Sequence, residues 1–285
     1  MKIGFIGTGV MGSSMIQNLM NAGHQLYIYT RTKAKADKLI KKGANWVENP
    51  KEIAKNTEII ITMVGYPEDV REIYFGEDGI FEGVHEDTIA IDMTTSTPSL
   101  AKEIDAYARQ LKMSSLDAPV SGGDIGAKNG SLSIMVGGNQ QVYEQALTIF
   151  EVLGKNIVYQ GEAGSGQHTK MCNQIAIASN MIGVMEAIIY ARKAGLDPET
   201  VLLSIENGAA GSWSLSNLVP RALKDDYSPG FFIKHFVKDM KIALDEAEKM
   251  NIELPGLQLA KSMYDKLIDA GEENSGTQAL IKYWN

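Results

Sequence analysis

The chain has a single cysteine, Cys172, and no excess of basic residues. One cysteine excludes an internal disulfide and suits a reducing compartment, so we expect a cytoplasmic protein. The 27 Lys and Arg residues against 35 Asp and Glu give a formal net charge of −8, and no basic run is interleaved with aromatic residues. Nucleic acid is therefore not an expected partner.

Targeting and membrane-spanning patterns are also lacking. The N-terminal apolar stretch is short and interrupted by glycine, as in a strand and unlike a signal peptide. The most apolar long window, about 172–191, contains polar and charged residues, namely Asn173, Gln174, Asn180 and Glu186. We predict a buried helix there and expect no membrane partner.

A glycine-rich turn follows the first apolar run of the chain. The run Met1 to Ile6 leads into Gly7-Thr8-Gly9-Val10-Met11-Gly12, and a helical pattern follows that Gly23 ends. A strand, this turn and a helix are typical of a dinucleotide site, where the helix N-terminus attracts the pyrophosphate. A tight turn without a ligand would leave the three glycines unexplained. We predict cofactor contacts from Gly7, Gly9, Val10, Met11 and Gly12.

Short apolar runs alternate with amphipathic stretches as far as about Gln160. This βαβ pattern predicts an α/β fold whose N-terminal part is a Rossmann-type, doubly wound, mainly parallel sheet. The predicted strands are 2–6, 26–29, 59–64, 88–93, 115–117, 132–136 and 157–159. Beyond a glycine-rich segment at 161–166, helical patterns separated by prolines take over. With 285 residues and 44% hydrophobic content, we predict a dinucleotide-binding domain at 1–163 and an all-helical substrate and dimerisation domain at 164–285.

The segment after the second predicted strand indicates which dinucleotide is bound. A carboxylate about 20 residues after the glycine turn usually holds the ribose hydroxyls of NAD. Here the segment reads Leu26-Tyr27-Ile28-Tyr29-Thr30-Arg31-Thr32-Lys33, and the first acidic residue of the chain is Asp37. The Arg31 guanidinium and the Thr32 hydroxyl suit a 2′-phosphate, so NADP is favoured and NAD stays possible. Alternatively, Arg31 and Lys33 are solvated loop cations.

Two loops that follow predicted strands contain hydroxyl groups and glycines. Asp92-Met93-Thr94-Thr95-Ser96-Thr97-Pro98 would lie at the carboxyl edge of the sheet, either touching the cofactor or capping a helix at Ser96 or Thr97. In Asp117-Ala118-Pro119-Val120-Ser121-Gly122-Gly123, backbone N–H groups and a hydroxyl would bind a carboxylate. An ordinary glycine turn is the alternative there.

Lys170 lies within the otherwise apolar helical pattern predicted at about 165–193. Asn173 and Gln174 follow at i+3 and i+4 on the same face. Burial disfavours the charged form of a lysine and lowers its pKa toward the range of a general acid or base. Spacing alone favours the alternative interpretation, in which the lysine stem packs against the protein and the charged head reaches solvent.

A weaker cluster lies at 231–239. On a helix, His235 and Asp239 share a face, but two ligands without a third predict an intrahelical hydrogen bond in preference to a metal site. We therefore expect no metal.

Four motifs in this order resemble the β-hydroxyacid dehydrogenase family, the group of 3-hydroxyisobutyrate dehydrogenase, tartronate semialdehyde reductase, and the glyoxylate and succinic semialdehyde reductases. They are Gly7-x-Gly9-x-Met11-Gly12, the segment 117–123, Gly164-x-Gly166 with Lys170, and Lys238-Asp239. The resemblance covers essentially the whole chain.

The resemblance implies roles for individual residues. Lys170 would be the catalytic acid/base. The substrate-binding residues would be Ser121, Gly122, Gly123, Asn173, Gln174, Phe231 and Asp239. Beyond the glycine turn, Arg31 and Thr32, the cofactor contacts would be Met63, Val64, Pro67, Thr95 and Lys238.

The chain departs from the family pattern beside the lysine. Many members have asparagines at both positions three and four residues later, whereas this chain has Asn173 and then Gln174. Either amide could support the lysine. Phe231, Lys234-His235 and Asp239 resemble the glyoxylate and succinic semialdehyde reductases, whereas Gly211 to Ser214 is closer to 3-hydroxyisobutyrate dehydrogenase.

Together these features predict an oxidoreductase that transfers a hydride between NADP(H) and a small 3-hydroxy acid or its semialdehyde. The candidate substrates are 3-hydroxyisobutyrate, 4-hydroxybutyrate with succinic semialdehyde, and glyoxylate. The alternatives are an NADPH-dependent imine reductase and a non-catalytic NADP-binding module of the same fold. The apolar helix and the resemblance also predict a homodimer or homotetramer.

Overall fold

The computed structural model describes residues 1–284, which form two compact units divided after Lys170. The division falls inside one long helix.

A nine-stranded sheet organises the N-terminal unit. Its strands are β1 (Lys2–Ile6), β2 (Gln25–Tyr29), β3 (Asn45–Trp46), β4 (Ile59–Thr62), β5 (Ile89–Asp92), β6 (Ser114–Asp117), β7 (Val120–Ser121), β8 (Leu132–Gly138) and β9 (Gly154–Gly161). The spatial order is β3-β2-β1-β4-β5-β6-β8-β7, and β9 pairs with β8. β8 is antiparallel to β6 and β7, and the other pairings are parallel. The predicted mainly parallel sheet is confirmed.

The carboxyl ends of four neighbouring strands lie in one row. Ile6 pairs with Thr62, Thr62 with Asp92, and Asp92 with Asp117. The loops that follow β1, β4, β5 and β6 therefore begin side by side, at the edge where open α/β sheets bind ligands.

Seven helices accompany the sheet in this unit. They are α1 (Val10–Asn21), α2 (Asp37–Ile40), α3 (Pro50–Asn56), α4 (Pro67–Phe75), α5 (Pro98–Gln110), α6 (Gly123–Asn129) and α7 (Gln140–Leu153), with 3₁₀ segments at Lys33–Ala36 and Ile80–Glu82. Alternate strand residues enter two different apolar clusters, because successive side chains point to opposite faces. Ile59 and Ile61 pack with α1 and α7, whereas Ile60 packs with α3, α4 and α5.

The long helix α8 (Ser165–Lys193) has 29 residues and the predicted bounds. By length and composition it could cross a membrane, with a mean hydropathy of 1.4 over its most apolar window, of which 44% is buried inside the chain. This is weak evidence, since core helices of soluble proteins have the same composition. Gln167, Lys170 and Gln174 are buried polar residues of this helix, which favours a core helix.

The C-terminal unit is helical. After the second part of α8 come α9 (Pro198–Ile205), α10 (Trp213–Asn217), α11 (Val219–Leu223), α12 (Ile233–Lys249), α13 (Pro255–Asp269) and a 3₁₀ segment at Thr277–Trp284. Its core includes Met185 of α8, Phe236 and Met240 of α12, and Tyr264 of α13. The all-helical prediction is confirmed.

The three glycines of the turn between β1 and α1 have different structural reasons. Gly7 has φ +107°, and a Cβ there would lie 2.1 Å from the Met63 carbonyl oxygen. A Cβ on Gly12 would lie 2.1 Å from the Gly7 carbonyl oxygen. Gly9, at φ −69° and ψ −170°, is in extended backbone open to any residue, and an added Cβ would meet no atom within 4 Å. The chain itself therefore gives no packing reason for glycine at position 9, whereas close approach of a bound pyrophosphate would.

We expect Gly12→Ala and Gly9→Ala to separate these reasons. Gly12→Ala should destabilise the cofactor-free chain by about 2 kcal/mol or more, because backbone must move to admit the methyl group. Gly9→Ala should cost at most about 1 kcal/mol as a poorer N-cap, yet weaken NADPH binding. Thermal unfolding and NADPH titration measure the two effects. Unchanged NADPH affinity in a folded Gly9→Ala chain would contradict the assignment.

Candidate active site

The glycine turn presents polar groups that suit a dinucleotide. Helix α1 has no acidic residue in its first turn and no side-chain cap at Gly9, so its N-terminal N–H groups and partial positive charge stay available to an anion. The buried Oγ1 of Thr8 has no hydrogen-bond partner within residues 1–284. Buried hydroxyls are normally satisfied. The turn thus fits a cofactor on geometry and on donor supply.

Arg31, after β2, is an exposed cation at the predicted ribose end. Its side chain is 80% exposed and forms an ion pair with Asp69 of α4, with Nη1 and Oδ1 2.9 Å apart. Thr32 precedes the 3₁₀ segment, and its carbonyl accepts a hydrogen bond from Lys35 N. The Asp69 side chain is 18% exposed, so the pair is open to solvent mainly on the arginine side.

The loops after β4 and β5 are joined to each other. The Val64 N–H donates to Thr94 Oγ1 (3.0 Å), and Thr62 Oγ1 and the Thr94 N–H both donate to Asp92 Oδ1 (2.7 and 3.1 Å). The predicted contacts Met63, Val64 and Thr95 are thereby placed on connected loops, and Pro67 is the first residue of α4. Thr97, not Ser96, caps α5 by accepting from the Leu100 N–H.

Asp117, the last residue of β6, holds the start of α8. Its carboxylate accepts hydrogen bonds from the Gly164 and Gln167 N–H groups, each at 2.8 Å. Burial, with a smaller contribution from the charge of Asp92, raises the pKa of this carboxyl to about 6 against the opposing effect of these N–H donors. A Cβ at Gly166 would lie 2.5 Å from the Asp117 carbonyl oxygen, so the close contact of helix and strand requires glycine there.

The predicted carboxylate-binding loop has a backbone that only glycine adopts easily. Gly122 and Gly123 both have positive φ, +127° and +63°. Ser121 pairs with Ser133 of β8, which fixes the entry to the loop. Consecutive N–H groups in such unusual conformations can form an anion-binding concavity.

Lys170 is buried, with a residual exposure of 6%. A lysine is rarely buried without a partner or a function. The alternative of a lysine with a solvated head does not match this burial.

Gln167, one turn before Lys170, is a residue that the sequence analysis missed. Its Nε2 donates to the Thr94 carbonyl (2.8 Å), and its Oε1 accepts from the Ser96 N–H (2.9 Å). The available signal was its position at i−3 from Lys170, on the same face of an apolar helix.

In the C-terminal unit a chain of polar side chains connects four residues of the predicted site. Asn173 Nδ2 donates to Gln174 Oε1 (2.7 Å), and Gln174 Nε2 donates to Asp239 Oδ2 (2.6 Å). Lys238 Nζ lies 2.8 Å from Asp239 Oδ1. Since the Asp239 carboxylate only accepts, the Gln174 amide must direct its NH₂ group toward Asp239 and its oxygen toward Asn173.

Phe231 lies in the same unit and is partly buried. Its ring packs against Phe236 with centroids 5.5 Å apart. Within the described part of the chain, residues 1–284, no group of three or more His, Cys, Asp or Glu side chains could hold a metal ion.

The structure thus distributes the predicted residues over the two units. The N-terminal unit contains the glycine turn, Arg31, the linked loops, Ser121 to Gly123 and Lys170. The C-terminal unit contains Asn173, Gln174, Phe231, Lys238 and Asp239. The helix α8 carries Lys170, Asn173 and Gln174 on neighbouring turns.

Two family models match nearly the whole chain. The NAD-binding domain of 6-phosphogluconate dehydrogenase matches residues 2–161. The NAD-binding domain of NADP-dependent 3-hydroxyisobutyrate dehydrogenase matches residues 164–284.

Named relatives and a solved structure agree with these matches. The uncharacterized oxidoreductase YkwC of Bacillus subtilis (strain 168) is 61% identical over 282 residues, covering 99% of this chain and 98% of its own. The 2-hydroxy-3-oxopropionate reductase of Escherichia coli (strain K12) is 38% identical over 282 residues, covering 99% and 96%. The structure of Psf3 in complex with NADP⁺ and 2-OPP superimposes with a TM-score of 0.93 at 25% identity, covering 99% of this chain and 100% of that one.

These matches cover both units and agree with the glycine turn and the sheet order. The chain belongs to the 3-hydroxyisobutyrate dehydrogenase family of β-hydroxyacid dehydrogenases and is an NAD(P)-dependent oxidoreductase of that family.

Proposed function

We propose that this protein is an NADPH-linked reductase or dehydrogenase of a small 3-hydroxy acid or its semialdehyde, with Lys170 as the general acid/base. The observation that carries this proposal is the burial of Lys170 in α8, one turn after the segment held by Asp117 and Gln167. The substrate classes are 3-hydroxyisobutyrate, 4-hydroxybutyrate with succinic semialdehyde, and glyoxylate. The reductase relative adds 2-hydroxy-3-oxopropionate.

The chain's own groups account for binding and proton transfer. When bound, NADPH supplies a hydride from nicotinamide C4 to the carbonyl carbon. The Lys170 ammonium gives a proton to the carbonyl oxygen in reduction, and the amine takes it back in oxidation. The loop Ser121 to Gly123 holds the substrate carboxylate through backbone N–H groups and the Ser121 hydroxyl, which orients the reacting carbon.

The two amides after Lys170 have different roles in this proposal. Both ends of the Gln174 amide are engaged, by Asn173 and by Asp239. Gln174 is therefore a positioning residue, and Asn173, whose Oδ1 is not part of this chain of bonds, is the amide that contacts the substrate. The extra methylene of Gln174 is used to reach Asp239.

NADP is preferred over NAD in this proposal. No carboxylate stands at Thr30, and the exposed guanidinium of Arg31, which pairs with Asp69, is accessible to a 2′-phosphate. Three large apolar side chains of the C-terminal unit, Tyr190, Leu203 and Trp213, are 75%, 71% and 62% exposed in the single chain. Such exposure favours self-association, so we propose a homodimer or homotetramer. The single cysteine suits a reducing compartment, so we propose that the protein is located in the cytoplasm.

A panel of carbonyl substrates with both cofactors tests the reaction class directly. NADPH absorbance should fall with at least one of glyoxylate, succinic semialdehyde, methylmalonate semialdehyde and 2-hydroxy-3-oxopropionate. Turnover of a cyclic imine alone would favour an imine reductase. Tight NADPH binding without turnover of any of these compounds would favour the non-catalytic binding module.

Lys170→Ala is expected to lower kcat by about 10²–10⁴-fold, the usual contribution of a positioned acid/base, while the Kd for NADPH changes little. Steady-state kinetics and fluorescence titration measure the two quantities. Cys172→Ala is the matched control, because Cys172 is exposed on the same helix two residues later. A Lys170→Ala enzyme with most of its activity would refute the mechanism.

Arg31→Ala is expected to raise the KM for NADPH about tenfold, because a charge-assisted contact to the 2′-phosphate is lost, and to leave the KM for NADH unchanged. Arg109→Ala serves as the control, since Arg109 is also exposed and pairs with an aspartate, Asp105. Equal changes for NADPH and NADH would contradict a phosphate-binding role for Arg31.

Asn173→Ala and Gln174→Met are expected to differ. Asn173→Ala should lower kcat/KM about tenfold with little change in Tm, through loss of a substrate contact. Gln174→Met fills the same space but removes a hydrogen bond to a buried carboxylate, so it should cost about 2 kcal/mol of stability and affect kcat less. The opposite ranking would show that Gln174 is the substrate-contacting amide.

A further inference from the structure

Gln167 joins helix α8 to the loop after β5 through both ends of its side-chain amide. The side chain is fully buried. Nε2 donates to the carbonyl of Thr94 and Oε1 accepts from the N–H of Ser96. The two partners flank Thr95, so this one amide fixes the backbone on both sides of the predicted cofactor contact.

The backbone of Gln167 is held as firmly as its side chain. Its N–H donates to Asp117 Oδ2, and the Gly164 N–H donates to Oδ1 of the same carboxylate. Gly166 lies against β6 and β8, where a Cβ would be 2.4 Å from the Met135 carbonyl oxygen. The first turn of α8 therefore has little freedom to shift along or rotate against the sheet.

Lys170 follows Gln167 at i+3, on the same face of α8. A displacement of the first turn would be transmitted to Lys170, because backbone hydrogen bonds connect successive turns of a helix. Gln167 thus connects the predicted cofactor contact, Thr95, to the predicted acid/base, Lys170, and it is bonded to the backbone of the residues on either side of Thr95.

We propose that Gln167 is a positioning residue that sets the distance between the cofactor-contacting loop at Thr95 and the acid/base Lys170. This inference rests on the proposed function, in which Lys170 exchanges a proton with the substrate, and on the predicted role of Thr95 as a cofactor contact. The amide acts through its two neighbours and touches no reacting atom.

A purely structural role is the alternative, and the C-terminal unit offers a matched control for it. Gln278 is also buried, and its Nε2 donates to two loop carbonyls, those of Asp226 and Ser228. Its partners are not among the residues of the proposed site. Gln167→Met and Gln278→Met each retain side-chain volume and each remove hydrogen bonds to two backbone groups, which are buried for Gln167 and part-buried for Gln278. Loss of stability is therefore expected in both variants, and only a positioning role adds a kinetic effect in one of them.

The experiment compares wild type, Gln167→Met, Gln278→Met and Lys170→Ala on the best substrate of the panel. We expect Gln167→Met to lower kcat on the order of 10- to 100-fold, as small misplacements of reacting groups do, with a smaller effect on the Kd for NADP⁺. The primary deuterium isotope effect with NADPH deuterated at the transferred position should rise, because hydride transfer becomes more rate-limiting. Gln278→Met should lower Tm without changing the isotope effect.

Gln167→Glu gives a second test that holds even where the Met variant fails to fold. A protonated glutamic acid keeps both hydrogen bonds, with its O–H donating to the Thr94 carbonyl and its carbonyl oxygen accepting from Ser96. An ionised one opposes a carboxylate oxygen to the Thr94 carbonyl oxygen. The activity of Gln167→Glu relative to wild type should therefore recover as the pH falls through the pKa of the introduced acid, and Gln167→Met should show no such recovery.

The outcomes separate this inference from the proposed function. An inactive Lys170→Ala together with Gln167 variants that keep wild-type kcat, isotope effect and pH profile would overturn the positioning role alone. An active Lys170→Ala, or no turnover by wild type, would overturn the proposed function and this inference with it.

Discussion

The buried carboxylate of Asp117 is the interaction on which the candidate site depends. It lies at the end of β6, accepts two N–H groups from the start of α8, and so attaches the helix that carries Lys170 to the edge of the sheet. Burying this charge is unfavourable, as its raised pKa shows. The two N–H donors and the positive end of the helix macrodipole offset much of that cost. The same residue begins the segment that leads to Ser121, Gly122 and Gly123.

The attachment of α8 places Lys170 at the edge of the sheet where several loops begin. Because the ends of β1, β4, β5 and β6 lie in one row, the loops after them start close together without help from the loops themselves. Thr94, in the loop after β5, accepts a hydrogen bond from the loop after β4. Gln167 connects the loop after β5 to α8 by a hydrogen bond to the Thr94 carbonyl. The loop residues predicted to contact ligands are thus held by the side chains of Thr94 and Gln167, which connect them to the scaffold.

The sequence predicted those features whose signals are local. Spacing within a few residues was enough to predict the glycine turn, the long helix and Lys170. Short apolar runs were enough to predict the longer strands. The two-residue strands β3 and β7 are too short for any alternation to be visible. Gln167 was not predicted because its side-chain partners are 71 and 73 residues away in the chain. The sequence could not distinguish the roles of Asn173 and Gln174 because Gln174 binds Asp239, 65 residues further on. Long-range pairs of this kind leave no periodic pattern.

Helix α8 shows why composition alone misrepresents such an element. Gln167, Lys170 and Gln174 stand at i, i+3 and i+7, so they share one face, and all three are buried. Further along the helix the buried positions are apolar, among them Met181, Met185 and Ile188, so the buried polar groups are confined to its first third. Buried polar groups destabilise a fold unless they are satisfied, and Gln167 and Gln174 each have two partners at 2.9 Å or less. A buried polar stripe with a lysine at its centre is the arrangement that the proposed acid/base role of Lys170 requires.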